Sequence, residues 1–340
     1  MKYKTLSNGI QMPSIGLGTY PLYAKQLTDI LVMAYEEGYR LIDTADNYYN
    51  EKDLGESLCY IYNQLGAKRE DFFLVSKVSD ELYPIGDYRP GSNRGVYFWK
   101  SSRVMQAPNA VRKILEEKID NTLRFLKTDY LDLWLMHWPY PDFFLELWYE
   151  MERIYATGKV KAIGVCNCRV RHLESLRTQG FSVPMVNQFE SSPLNTKEGI
   201  VDYCINHGIE IMTYSPLMSL RFKDVPRFSR LLTMLSEKYH KNPAQIILRF
   251  DIQRGLVPIP KSTHRNRLVA NIDLFDFELT DDEMVTLMNC NQNRQTLPES
   301  KQCPGPLVSG KKLRVIKKAS FDDTLITWPN QLLCPLKETV

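Results

Sequence analysis

Apolar and polar positions alternate in blocks along most of the chain. Short runs that are apolar nearly throughout suit strands buried on both faces. Each is followed by a stretch with apolar residues at helical spacing. The strand-like runs fall at 11–18, 39–43, 72–78, 130–137, 160–165, 185–190, 208–214 and 256–260. Helical stretches occupy 29–38, 53–64, 109–126, 144–156, 169–178, 197–206 and 243–254, with another at 228–240. Eight strands separated by helices predict an α/β fold, a closed (β/α)8 TIM barrel. Ahead of them, residues 3–12 read as a β-hairpin around a two-residue Asn8-Gly9 turn, placed to cap the barrel bottom.

No shift in composition marks a second domain, so all 340 residues are expected to form one. Two segments exceed a minimal barrel, a loop at 79–108 and a tail at 291–340. Loops of that length in a compact domain are usually functional or disordered, and these two are expected to roof the pocket.

The net charge of +3 and the lack of a basic stripe argue against nucleic acid as a partner. The seven cysteines are scattered and odd in number, which fits a reduced, cytoplasmic protein. Cys166 and Cys168 form one C-x-C with no second pair, so no metal site is expected. No run of 18 apolar residues occurs, which argues against a membrane partner. A monomer or weak dimer is expected. Gly16-Leu17-Gly18-Thr19-Tyr20-Pro21 lacks the third glycine of a Rossmann fingerprint and reads as a first barrel strand.

A barrel of this kind carries its site at the C-terminal ends of the strands. Four titratable residues lie there: Asp43, Tyr48, Lys77 and His137. Their chemistry is coherent. Hydride reduction of a carbonyl leaves an alkoxide that must be protonated, and Tyr48 is a proton donor. An adjacent Lys77 ammonium is expected to lower the phenol pKa, with Asp43 holding Lys77 charged. His137 can hydrogen-bond the substrate oxygen. Each residue also admits a structural role, such as an Asp43–Lys77 ion pair. Four complementary types at four expected positions favour the chemical one.

The run from Asp43 to Gly55, Asp-Thr-Ala-x-x-Tyr-x-Asn-Glu-x-x-x-Gly, resembles the aldo-keto reductases. Leu74-Val75-Ser76-Lys77 and Leu135-Met136-His137-Trp138-Pro139 resemble two further motifs of that family. The resemblance implies a catalytic tetrad of Asp43, Tyr48, Lys77 and His137, and NADPH-dependent reduction of a small aldehyde or ketone. It implies nicotinamide contacts from Asn167 and Gln188, with Cys166 in place of the usual serine, and stacking by Tyr214. Ser215 and Leu217 follow in that segment, and Met218 replaces the usual glycine. Lys261, Ser262, Thr263 and Arg267 match the phosphate-reading motif and imply NADP over NAD. Asn271 is implied at the adenine, and Gly18, Thr19 and Tyr20 beside the cofactor. Tyr20, Tyr49 and Trp138, with loop residues Tyr83 and Tyr97, are the expected substrate wall. The same fold also serves cofactor-binding regulatory proteins, against which the complete tetrad weighs. His172, His207 and His240 read as surface groups.

Overall fold

The computed structural model describes residues 2–79, 81–82, 96–97, 110–140, 143–218 and 223–296. The chain opens with an antiparallel hairpin, β1 (Tyr3–Thr5) and β2 (Gln11–Pro13). Its turn is wider than the two-residue one expected. Leu6 N–H donates to the Ile10 carbonyl at 2.9 Å and Gly9 N–H to the Leu6 carbonyl at 2.8 Å. That leaves a three-residue loop whose last member, Gly9, takes φ +88°. Glycine is favoured there because it alone enters that region without steric cost. The hairpin plugs the barrel bottom. Leu6 and Met12 pack with the inward residues of the strands, and Asn8 Nδ2 donates to the Lys161 carbonyl at 2.9 Å.

Eight parallel strands follow in chain order around one sheet. They are β3 (Gly16–Gly18), β4 (Leu41–Asp43), β5 (Phe73–Val78), β8 (Leu133–Met136), β9 (Ile163–Cys166), β10 (Val186–Glu190), β11 (Glu210–Tyr214) and β12 (Val257–Pro258). Between β5 and β8 lies a separate antiparallel pair, β6 (Glu81–Leu82) and β7 (Val96–Tyr97). The predicted strand at 11–18 is two strands, because its first half pairs back with β1 and only its second half joins the barrel. Gly18 N–H donates to the Pro260 carbonyl at 3.2 Å and brings the two ends of the sheet together.

The helices cover the outer face: α1 (Ala24–Glu36), α2 (Glu51–Leu65), α3 (Ala110–Leu126), α4 (Phe144–Ala156), α5 (Val170–Thr178), α6 (Glu198–Asn206), α7 (Pro226–Tyr239) and α8 (Pro243–Gln253). Two more, α9 (Arg265–Ile272) and α10 (Asp281–Met288), follow the last strand. α1 starts five residues before the expected 29–38 stretch, at Ala24. Leu27 and Ile30 carry its buried face back toward that start. No helix among the described residues is long and apolar enough to cross a membrane.

Side chains alternate across each strand with a period of two. In β5, Phe73 and Val75 point into the barrel while Leu74 and Val78 join the layer under the helices. The same alternation holds in β4, where Leu41 is inside and Ile42 outside, and in β8, where Leu133 and Leu135 are inside and Trp134 and Met136 outside. The inner column fills the lower barrel with hydrocarbon. Its continuation at the upper rim is polar.

Candidate active site

That rim is set by register. Continuing the inward positions upward from Leu41, Val75, Leu133 and Val186 reaches Asp43, Lys77, His137 and Gln188. Asp43 and Lys77 meet there as a buried ion pair, with Lys77 Nζ 2.6 Å from Asp43 Oδ1. The ammonium also donates to the Thr44 carbonyl at 2.8 Å and to Tyr48 Oη at 3.3 Å. The other Asp43 oxygen, Oδ2, accepts from Gln188 Nε2 at 2.7 Å.

Tyr48 reaches this pair through a single turn of 3-10 helix, Asp46–Tyr48, directly after β4. The turn is pinned from several sides. Asp46 accepts from the Ser79 N–H at 3.0 Å and from Lys118 Nζ of α3 at 2.7 Å. Asn50, fully buried, accepts from Thr44 Oγ1 at 2.7 Å and donates to the Leu22 carbonyl at 3.0 Å. The Tyr20 ring lies 5.0 Å from that of Tyr48, and the His137 ring meets it edge-on at 5.8 Å.

Burial dominates the electrostatics. It pushes the Tyr48 phenol up, Lys77 pulls it down, and the balance stands at about 12. The expectation that Lys77 makes this phenol acidic is therefore corrected. The cation does favour the phenolate, but the loss of water around the ring oxygen outweighs it. Burial likewise lowers the Lys77 pKa, yet Asp43 and Tyr48 more than offset this and the group ends above its ordinary value. The His137 pKa sits well below its ordinary value through burial, with Lys77 and Lys118 adding to it. At neutral pH the site thus holds a protonated phenol, an ammonium and a neutral imidazole. The Nδ1 atom of His137 is buried and has no partner among the described residues.

A cavity of about 1000 Å³ opens over these groups. Tyr48, His137 and Asp43 lie in its wall, and Lys77 stands behind them. Gly18, Thr19, Tyr20, Asn167, Gln188, Tyr214, Ser215 and Leu217 line it, as do Lys261, Ser262, Arg267 and Asn271 further along. Of the expected substrate wall, Tyr20 and Trp138 line the cavity and Tyr49 does not. Tyr49 closes the 3-10 turn with φ 58°, which redirects the chain into α2. Tyr83 and the Tyr97 side chain lie outside the described residues. Cys166 and Thr263 are not in the cavity wall either. Cys166 packs into the apolar barrel interior, where burial raises its thiol pKa.

Asn167 takes φ 58°, a conformation asparagine tolerates, and this turns its amide to the rim. Its Oδ1 accepts from Tyr214 Oη at 2.9 Å and its Nδ2 donates to the His137 carbonyl at 3.2 Å. Met218 has φ 51°, the region that explains a usual glycine there. At the far end, Lys261 and Arg267 have no acidic partner among the described residues, whereas Arg265 is paired with Glu36 and Glu37. Helix α9 begins at the same place, and its N-cap His264 makes no side-chain capping bond. His172 is no surface group. It is buried, its Nδ1 accepts the Arg169 N–H at 3.0 Å, and burial holds its pKa at about 3.

Sequence reasoning missed Asn47 and the 242–244 segment, both in the cavity wall. Apolar periodicity does not register a loop asparagine or a helix start that faces a cavity across the barrel rim.

The family model described as the Aldo/keto reductase family matches residues 14–292. An uncharacterized oxidoreductase of Bacillus subtilis, YtbE, is 36% identical over 87% of this chain and 95% of its own length. The glyoxal reductase of the same organism is 35% identical, covering 86% of this chain and 94% of its own. The crystal structure of a Bombyx mori aldo-keto reductase in complex with NADP superposes with a TM-score of 0.73 at 28% identity, over 88% of this chain and 96% of that one. This chain belongs to the aldo/keto reductase family.

Proposed function

We propose that this protein is an NADPH-dependent oxidoreductase that reduces an aldehyde or ketone to the alcohol, with Tyr48 as the proton donor. One observation carries the reading: a protonated phenol, bonded to a buried ammonium, faces a large cavity beside a neutral histidine. The bound dihydronicotinamide would supply the hydride to the carbonyl carbon.

The chain's own residues do the rest. His137 donates a hydrogen bond that holds the substrate oxygen near Tyr48 Oη. As negative charge gathers on that oxygen, Tyr48 gives up its proton. Lys77, 3.3 Å away, stabilises the phenolate that remains. Asp43 fixes the ammonium in place. A pKa of about 12 suits this role, since the phenol stays protonated until an alkoxide, a far stronger base, forms beside it.

The residues at the other end of the cavity fit a phosphorylated dinucleotide. Asn167 and Gln188 offer amides for the nicotinamide carboxamide, and the Tyr214 ring lies beside them. Lys261, Ser262 and Arg267 offer two cations with no acidic partner among the described residues, and a hydroxyl, for the 2′-phosphate, which NAD lacks. The scattered cysteines support a reducing compartment, and we place the protein in the cytoplasm.

Steady-state assays with NADPH and an aromatic aldehyde test the assignment in wild type and Tyr48→Phe. The variant is expected to lose kcat by about a hundredfold or more, with NADPH affinity nearly intact. Undiminished turnover would remove Tyr48 from the mechanism.

A further inference from the structure

We propose that Lys118 of α3 is a positioning residue for proton transfer, acting through Asp46 to hold the turn that carries Tyr48. The proposal rests on reading the site as a carbonyl reductase and deepens it. Lys118 is not in the cavity wall, so its influence passes through other groups. The turn Asp46–Tyr48 has few bonds of its own. Tyr48 N–H donates to the Ala45 carbonyl at 3.1 Å and Tyr49 N–H to the Asp46 carbonyl at 3.4 Å. Bonds of 3-10 geometry are poor, so side-chain anchors decide where Tyr48 Oη lies.

Asp46 is the anchor at the back of the turn. Its carboxylate accepts from the N–H of Ser79, two residues past Lys77, at 3.0 Å, and pairs with Lys118 Nζ at 2.7 Å. Val78, between Lys77 and Ser79, accepts the His137 N–H at 3.0 Å. The backbones that carry Tyr48, Lys77 and His137 therefore converge around Asp46, and Lys118 clamps that point to α3.

Both charges are buried, with 9% of the Lys118 side chain and 7% of the Asp46 side chain exposed. A buried pair adds little net stability, because two ions have left water, yet its geometry is exacting and the loss of one partner leaves the other uncompensated. Those properties suit alignment better than stabilisation. The alignment is sensitive. Lys77 Nζ and Tyr48 Oη are 3.3 Å apart, long for a hydrogen bond, so a small outward movement of the turn breaks that contact.

The test measures kcat with an aromatic aldehyde, and NADPH binding by fluorescence, in wild type, Lys118→Met, Lys118→Arg and Asp46→Asn. Lys118→Met and Asp46→Asn are also combined with Tyr48→Phe. Lys118→Met is expected to lose kcat by about tenfold to a hundredfold, the cost of misplacing a reacting group by about an ångström, while NADPH binding changes by less than about twofold. Lys118→Arg, which keeps the charge, is expected to recover most of the loss. In the Tyr48→Phe background Lys118→Met is expected to cost less than about twofold, because the group it positions is gone. A lysine that merely stabilised the fold would lower both backgrounds alike. Asp46→Asn keeps an acceptor for the Ser79 N–H and breaks the ion pair, so it gives the same reading in both backgrounds if Lys118→Met does not fold. With wild type active, a kcat within about twofold of wild type in the folded variants overturns the role of Lys118. An equal loss in the Tyr48→Phe background also overturns it and places the effect on His137, whose pKa Lys118 helps to lower. Wild type that consumes no NADPH with the aldehyde overturns the reading of the site, and this proposal with it.

Discussion

The two oxygens of Asp43 face different partners, Oδ1 the Lys77 ammonium and Oδ2 the Gln188 amide. One carboxylate therefore ties the proton-donating end of the site to the end that would hold the nicotinamide. At the far end Arg267 is the residue proposed to separate the two nicotinamide cofactors. Arg267 lines the cavity with no acidic partner among the described residues, so its charge is available to a phosphate. Arg267→Leu is expected to raise KM for NADPH by about tenfold to a hundredfold, on the scale of a charge-assisted contact, and to leave KM for NADH nearly unchanged. Parallel increases for both cofactors would show that Arg267 shapes the cavity instead of reading the phosphate. At this scale the sequence was informative where a residue stood at a strand end. Asp43, Lys77 and His137 were legible because register alone carries them to the rim. The state of Tyr48 was not, since its pKa depends on how completely the folded chain excludes water.

Among the elements, α2, α3 and β5 share a buried polar cluster on the outer side of the barrel wall. Strand alternation puts Lys77 inside and Ser76 outside, where Ser76 Oγ donates to Glu51 Oε1 at 2.6 Å and Thr122 Oγ1 to Oε2 at 3.2 Å. Burial and then the Asp46 charge raise the Glu51 pKa from 4.5 to about 7. The sign of the linkage follows. Below about pH 4.5 the carboxyl is protonated whether the chain is folded or not. As pH rises toward 7 the unfolded chain ionises Glu51 while the fold keeps it neutral, so stability is lost over that window. The loss is on the order of 3 kcal/mol when complete. Glu51→Gln keeps an acceptor for Ser76 and removes the titration. Urea denaturation is expected to show the variant gaining on wild type between pH 4 and pH 8, and an equal difference at both pH values would refute the assignment. Elements themselves were read well where apolar periodicity was long. They were misread where local pairing overrode it, as at 11–18, whose first half belongs to the hairpin. The α10 start was legible in principle, since Thr280 and Glu283 form a capping box. The loop at 79–108 and the tail beyond 296 lie outside the described residues, apart from Ser79 and the short β6–β7 pair.

For the molecule as a whole, the barrel was legible because eight buried runs at regular spacing allow few other topologies. How the cylinder closes was not, since no sequence pattern distinguishes a strand that pairs on both edges from one that meets its neighbour through a single contact. Strands β3 and β12 lie at opposite ends of the sheet order and are joined by the bond from Gly18 N–H to the Pro260 carbonyl. Residues on both sides of this join, Gly18 to Pro21 and Ile259 to Ser262, also line the cavity. A dinucleotide lying there would clasp the barrel like a buckle where its wall is thinnest. Deuterium uptake at the Gly18 amide is expected to slow when NADP is added, more than at Gln188, whose strand is laddered on both edges. Equal protection at both amides would mean that the gap opens no more readily than the rest of the wall.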